Sequence, residues 1–159
     1  MKRLFSLLIS LSILLSLAAC GEPDENKYTF YYLRPQSAIQ YGQQDQLVVP
    51  VTQEISPDSM LPEELLRLYM TGPMDEGCVS PFPKGTYLLT ILPREDMLVI
   101  VVSREFSSLE GIHLTLAGAC LTATCHALSG YERIQVRSGE EIYDFDFNSY
   151  IFLDNGAGE

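Results

Sequence analysis

Basic residues are scarce in this sequence: ten Lys and Arg face 21 Asp and Glu, a formal net charge of −11. A chain so acidic is repelled by phosphate backbones, which excludes nucleic acid as a partner. Histidine is rarer still, with two in 159 residues, and cysteine occurs four times. Neither count supports a zinc module, because the chain has no CxxC pair and no two histidines at i, i+4. The irregular cysteine spacing is not a disulfide framework either, and a chain of this length can fold without one. Also missing are a phosphate-binding loop, a dinucleotide fingerprint, GxSxG and HExxH. With no motif for catalysis, the expectation is a protein that is not an enzyme and needs no cofactor or metal. Internal repeats and low-complexity blocks are absent as well.

What is present begins with a targeting segment. Lys2 and Arg3 precede an apolar stretch from Leu4 to Leu17 that only serines interrupt, and "LAAC" (17–20) follows. That order is a secretory signal, too short and poorly flanked for a permanent membrane span. The cleavage region resembles a bacterial lipobox: a branched apolar residue, two small residues, then Cys20. The resemblance implies removal of residues 1–19 and a diacylglyceryl thioether on Cys20, the new N-terminus. Two acyl chains, at about 0.8 kcal/mol per buried methylene, hold a protein at a bilayer where one would not. Cleavage removes Lys2 and Arg3 and no carboxylate, leaving eight bases against 21 acids, or −13. Anionic lipid repels such a domain, so it stands off the surface that anchors it. The expected location is the outer face of the cytoplasmic membrane.

Residues 20–27 read as the lipidated terminus and a charged tether, 28–153 as one domain with a C-terminal extension, and 154–159 as a flexible tail. "YTFYYL" (28–33) predicts a strand with Tyr28, Phe30 and Tyr32 on one face, and Tyr41-Gly42 a turn. "LVVPVTQEI" (47–55) predicts a second strand, with Pro50 placing it at an edge or bulge. A helix opens at Pro62, with Glu63 and Glu64 at the positive end of its dipole and Leu61, Leu65, Leu68 and Tyr69 as its apolar stripe; Gly72-Pro73 ends it. "TYLLTIL" (86–92) and "MLVIVV" (97–102) predict a hairpin whose second arm is apolar on both faces and therefore central. A helix over 112–128, a strand over 131–137 and an alternating segment after it complete the chain. The order β-β-α-β-β-α-β, with a further strand at the end, predicts an α+β fold: one mixed or antiparallel sheet with two helices packed on it.

The one concentration of reactive side chains is "GACLTATCHALSG" (118–130), with Cys120, Cys125 and His126. At about 100° per helical residue, Cys120 and Cys125 lie roughly 140° apart and Cys125 and His126 about 100° apart, so neither pair can share an ion. Small and apolar residues surround this helix nearly completely, which predicts a buried helix with packing thiols. Cys78 lies in a Gly/Pro-rich loop with no motif to activate it. "DFDFN" places Asp144, Asp146 and Asn148 at the spacing that opens a calcium loop, yet Ser149 and Asn155 stand where Gly and Glu are needed. Its alternation is that of a half-buried strand.

Four pieces together resemble the GerMN domain of sporulation and germination proteins. They are "LVVPVTQEI" after an aromatic first strand, "LPEELLRLYMTGP", "SPFPKGTYLLTI" leading to "LVIVVSREF", and a Thr-bearing helix followed by "YERIQVRSGE". The resemblance covers residues 28 to 141. The chain departs from the family in its helix cysteines, in His126 and in its acidic, aromatic tail. The resemblance implies an extracytoplasmic, often lipid-anchored module without catalytic residues, from a Gram-positive bacterium, that packs against other envelope proteins. The leading expectation is a lipoprotein that binds or scaffolds envelope proteins in sporulation or germination, using the strand edges near Pro50 and the exposed face of the helix over 62–71. A cell-wall glycan or peptide ligand, stacked on Tyr28, Phe30, Tyr32 and Tyr41, is the alternative. A thiol enzyme using Cys125 with His126, or Cys78, is the third.

Overall fold

The computed structural model describes residues 27–35, 46–55 and 61–150. Strand β1 (Lys27–Leu33) and strand β2 (Val48–Glu54) pair antiparallel, with Phe30 opposite Val51 and Tyr31 opposite Pro50. The period of two sends Phe30 and Tyr32 into the core, while the Thr29 and Thr52 hydroxyls meet at 3.2 Å on the exposed face. The first helix, α1 (Pro62–Met70), starts where the sequence places it. Proline supplies the helical φ, and the Leu61 N–H is met by Glu64 Oε2 at 2.9 Å. After Thr71 the chain turns out through Gly72, whose φ of 101° is one that an L side chain rarely adopts.

The buried stripe of α1 is Leu65, Leu66, Tyr69 and Met70. This corrects the expected stripe at two positions: Leu61 is 67% exposed and Leu68 only half-buried. With Pro62 as the first helical residue, Leu61 lies outside the helix and does not share its face.

Strands β3 (Leu88–Pro93) and β4 (Leu98–Val102) form the expected hairpin, closed by Arg94 N–H on Met97 O at 2.9 Å. A 3₁₀ turn (Arg104–Ser108) and helix α2 (Gly111–Ser129) then lead to β5 (Arg133–Ser138) and β6 (Glu141–Asp146), after which a short 3₁₀ turn covers Phe147–Ser149. Strand order is β3-β4-β5-β6, with β4 and β5 parallel and the outer pairs antiparallel. The parallel pair requires a crossover, and α2 is that crossover. Apolar on both faces, β4 is central as predicted: Leu98, Val99, Ile100 and Val102 are all buried.

The fold class is the expected α+β, but the strands form two sheets, of two and four strands, not one. The reason lies in β1. Among the described residues its outer edge meets no strand beyond a single bridge, in which Leu33 and Val79 exchange hydrogen bonds of 3.0 and 2.8 Å. At Tyr31 two side chains take a strand's place. The Tyr31 N–H donates to Thr124 Oγ1 of α2 at 2.9 Å, and its carbonyl accepts from the Tyr69 hydroxyl of α1 at 2.8 Å. The hairpin therefore docks on the helices, and one core forms between hairpin, helices and large sheet. Rings run through it from Phe30 stacked on Tyr69, through Phe82 and Phe106, to Tyr143 and Phe145.

Candidate functional site

Helix α2 carries the residues that looked most like chemistry. Nine consecutive residues, Ala117 to Cys125, are buried, so the helix is covered on every side. By length and composition it could cross a membrane, but here it is the central helix of a fold. Cys120 and Cys125 are both free and fully buried, on different faces as helical geometry requires. Burial pushes both thiols well above their ordinary value, so neither is a thiolate near neutral pH. His126 lies nearly flat against Phe147, with ring centroids 4.3 Å apart. Among the described residues no three His, Cys, Asp or Glu side chains are grouped to hold a metal ion.

Two features of α2 escaped the sequence. Gly118 faces the C-terminal strand so closely that a Cβ would run into the Phe145 ring and come within 2.6 Å of the Tyr150 hydroxyl. A glycine inside a helix costs about 1 kcal/mol relative to alanine, and that mid-helix glycine was the available signal. Thr124 gave none. Its hydroxyl holds Tyr31 of β1 and is hydrogen-bonded to the Tyr69 side chain, joining α2, β1 and α1 at one buried point. Burial raises the Tyr69 phenol far above its normal value, so at neutral pH it remains a donor to the Tyr31 carbonyl.

The other candidates are placed as follows. Cys20, the lipidation residue, lies outside the described residues, as do the tether before Lys27, Tyr41-Gly42 and the tail beyond Tyr150. The Cys78 thiol is partly buried, and burial and the neighbouring Asp75 raise its pKa against a smaller lowering by Arg34. An activated nucleophile needs the opposite shift. Of the aromatic strand, Phe30 and Tyr32 are fully buried and cannot stack on a sugar; Tyr28 is half-buried. Burial, with a contribution from Cys78, pushes the Tyr32 phenol up to about 12. Asp144 and Asp146 lie on β6, with Asn148 in the turn that follows.

With the geometry in place, comparison with known proteins gives a consistent answer. A family model named Germane and described as "Sporulation and spore germination" matches residues 29–143. The chain belongs to this family. Its fold is similar to the first GerMN domain of the sporulation protein GerM from Bacillus subtilis, at a TM-score of 0.53 and 13% identity over 74% of this chain and 85% of that one. It is also similar to the tandem GerMN domains of the same protein, at a TM-score of 0.51 and 14% identity over 77% of this chain and 43% of that one. No curated protein matches.

In this GerMN-type domain the strand edges are the remaining candidate site. Pro50 stands where the sequence argued it would, since β2 pairs only with β1 among the described residues. Arg34 N–H bonds Leu47 O, which fixes the alternation and turns the missing Pro50 donor to the outside. On the large sheet, β3 carries an irregularity between Leu88 and Thr90. There Arg67 of α1 donates to Leu88 O at 2.7 Å and Leu89 O at 3.0 Å, while also pairing with Glu63. The exposed face of α1 is therefore partly engaged in closing the β3 edge.

Proposed function

We propose that this chain is a membrane-anchored extracytoplasmic lipoprotein whose GerMN-type domain binds or scaffolds other envelope proteins in sporulation or germination, without catalysis. The family match carries the reading. The burial of the reactive residues of α2 supports it: Cys120 and Cys125 are protonated packing thiols, and His126 is stacked on a ring. In this reading acylated Cys20 supplies the anchor, and the acidic surface keeps the domain clear of anionic lipid. The glycan alternative loses two of its four aromatic residues to the core.

Crosslinking in intact membranes, followed by identification of the partner, tests the proposal. Wild type should fractionate with membranes and yield one defined envelope protein. Cys20→Ala should appear in the soluble fraction and lose that partner. Repeated recovery of the monomer alone, or membrane retention of Cys20→Ala, would overturn it.

A further inference from the structure

Among the described residues four strand edges are outermost, and three are closed by recognisable means. The β1 edge is filled at Tyr31 by Thr124 and Tyr69 and at Leu33 by Val79. The β2 edge has Pro50, the third of its seven residues, with no donor to offer. The β3 edge has its irregularity, two carbonyls held by Arg67, and Pro93 at its end. Proline, irregular pairing and covering side chains are the usual ways in which natural sheets prevent strand addition.

The fourth edge, β6, has none of these. It is six residues long, Glu141–Asp146, regular in its pairing with β5, and without proline. Phe147 N–H donates to Glu132 O at 2.8 Å, which fixes the alternation along this ladder. Glu141, Tyr143 and Phe145 therefore bond to β5, and the N–H and C=O of Ile142 and Asp144 point out of the sheet. Among the described residues no hydrogen bond meets these groups, and the Ile142 side chain is 56% exposed. The strand is held firmly, with Phe145 against Gly118 and Tyr143 against Phe106. It is an ordered, open edge.

We infer that β6 is the docking edge of this domain, and that its occupant is an extended, basic segment of another protein, added as a fifth strand to the large sheet. The inference rests on the interaction-module reading above and names the surface and the kind of partner. Charge decides the occupant. Glu140, Glu141, Asp144 and Asp146 lie along β6 and the turn before it, and Asp144 accepts from Gln135 Nε2 of β5 at 3.0 Å. Burial raises the Tyr143 phenol, with further contributions from Glu141 and from Glu110, which faces the same region. A second copy of this acidic chain would set carboxylate against carboxylate along the new ladder, which is unfavourable. A strand with Lys or Arg at alternate positions places them beside Asp144 and Asp146, and its other face adds apolar contact beside Tyr143 and Phe145.

The test uses the full chain in nanodiscs of neutral lipid and a six-residue peptide of alternating Lys and Val. The expected result is saturable binding that slows amide exchange at Ile142 and Asp144 by about tenfold or more. An alternating Glu and Val peptide should not bind. A backbone-methylated Lys and Val peptide, with unchanged charge but no strand-forming N–H, should lose about tenfold or more in affinity. Asp144→Pro should have the same effect while the β4–β5 amides stay protected, because the Asp144 N–H takes no part in pairing with β5. Four outcomes overturn the inference: no binding at about millimolar peptide, equal binding of the methylated peptide, protection at another edge, or self-association of the free chain through Ile142 and Asp144. Membrane crosslinking with Asp144→Pro separates this inference from the reading beneath it. A partner retained by the variant refutes the edge alone, whereas no partner for either protein refutes the module.

Discussion

Gly118 shows how a single missing methyl group positions a whole strand. Phe145 and Tyr150 rest where its side chain would be, so the C-terminal strand lies on α2 at backbone distance. Gly118→Ala gains helix propensity but forces both rings outward; the overpacking term should win, at about 1–3 kcal/mol of lost stability. A denaturant midpoint lowered without a change in slope would show it, and Phe145→Leu in the same chain should recover part of the loss. An unchanged midpoint would mean that the strand is free to shift. At this scale the sequence was legible in part. Helical angles separated Cys120 from Cys125, and the composition of α2 announced burial. Thr124 was invisible, because its partner Tyr31 is 93 positions away and no local pattern marks a hydroxyl that will meet a strand edge.

At the scale of elements, the start of α1, the β3–β4 hairpin, the central position of β4 and the outward Pro50 all followed from proline, charge and periodicity, which act locally. Sheet membership did not. Whether six strands form one sheet or two depends on which groups reach the outer edge of β1, and those come from α1 and α2. Phe106 was likewise missed, a fully buried ring in what reads as a polar connection. The edge of β3 gives a prediction at this scale. Arg67 is a surface side chain, so Arg67→Met should cost under about 1 kcal/mol of global stability. It should nevertheless release the Leu88 and Leu89 carbonyls. Hydrogen exchange should quicken at the end of β3 near Leu88 while β4 and β5 keep their protection; uniform loosening of the whole sheet would contradict this.

For the whole molecule, the buried acids set an alkaline limit. Cys120, Cys125, Tyr69 and Tyr32 all have folded pKa values raised by burial. An acid whose proton is held more tightly in the folded state stabilises nothing below its unfolded pKa and is a liability above it. The loss should therefore begin near 9, the ordinary thiol value, and steepen above 10 as the phenols join. Each buried thiol contributes about 1.4 kcal/mol per pH unit over that range. Thermal melts from pH 7 to 11 should show a plateau followed by a fall. Cys120→Ala/Cys125→Ala should move the onset upward by about one unit even if its plateau is lower. Alkylation at pH 7 should leave both thiols unmodified.

The bond from Tyr31 to Thr124 also dictates an order of events. The N-terminal hairpin can pair with itself early, but one backbone donor and one acceptor at its middle await residues 124 and 69. Half a chain cannot supply both. The domain must mature as a unit, after most of its length has been delivered, so an emerging N-terminal segment has no finished structure to become trapped in. In the proposed reading, where the chain threads a membrane before it folds, that delay is an advantage written into one threonine.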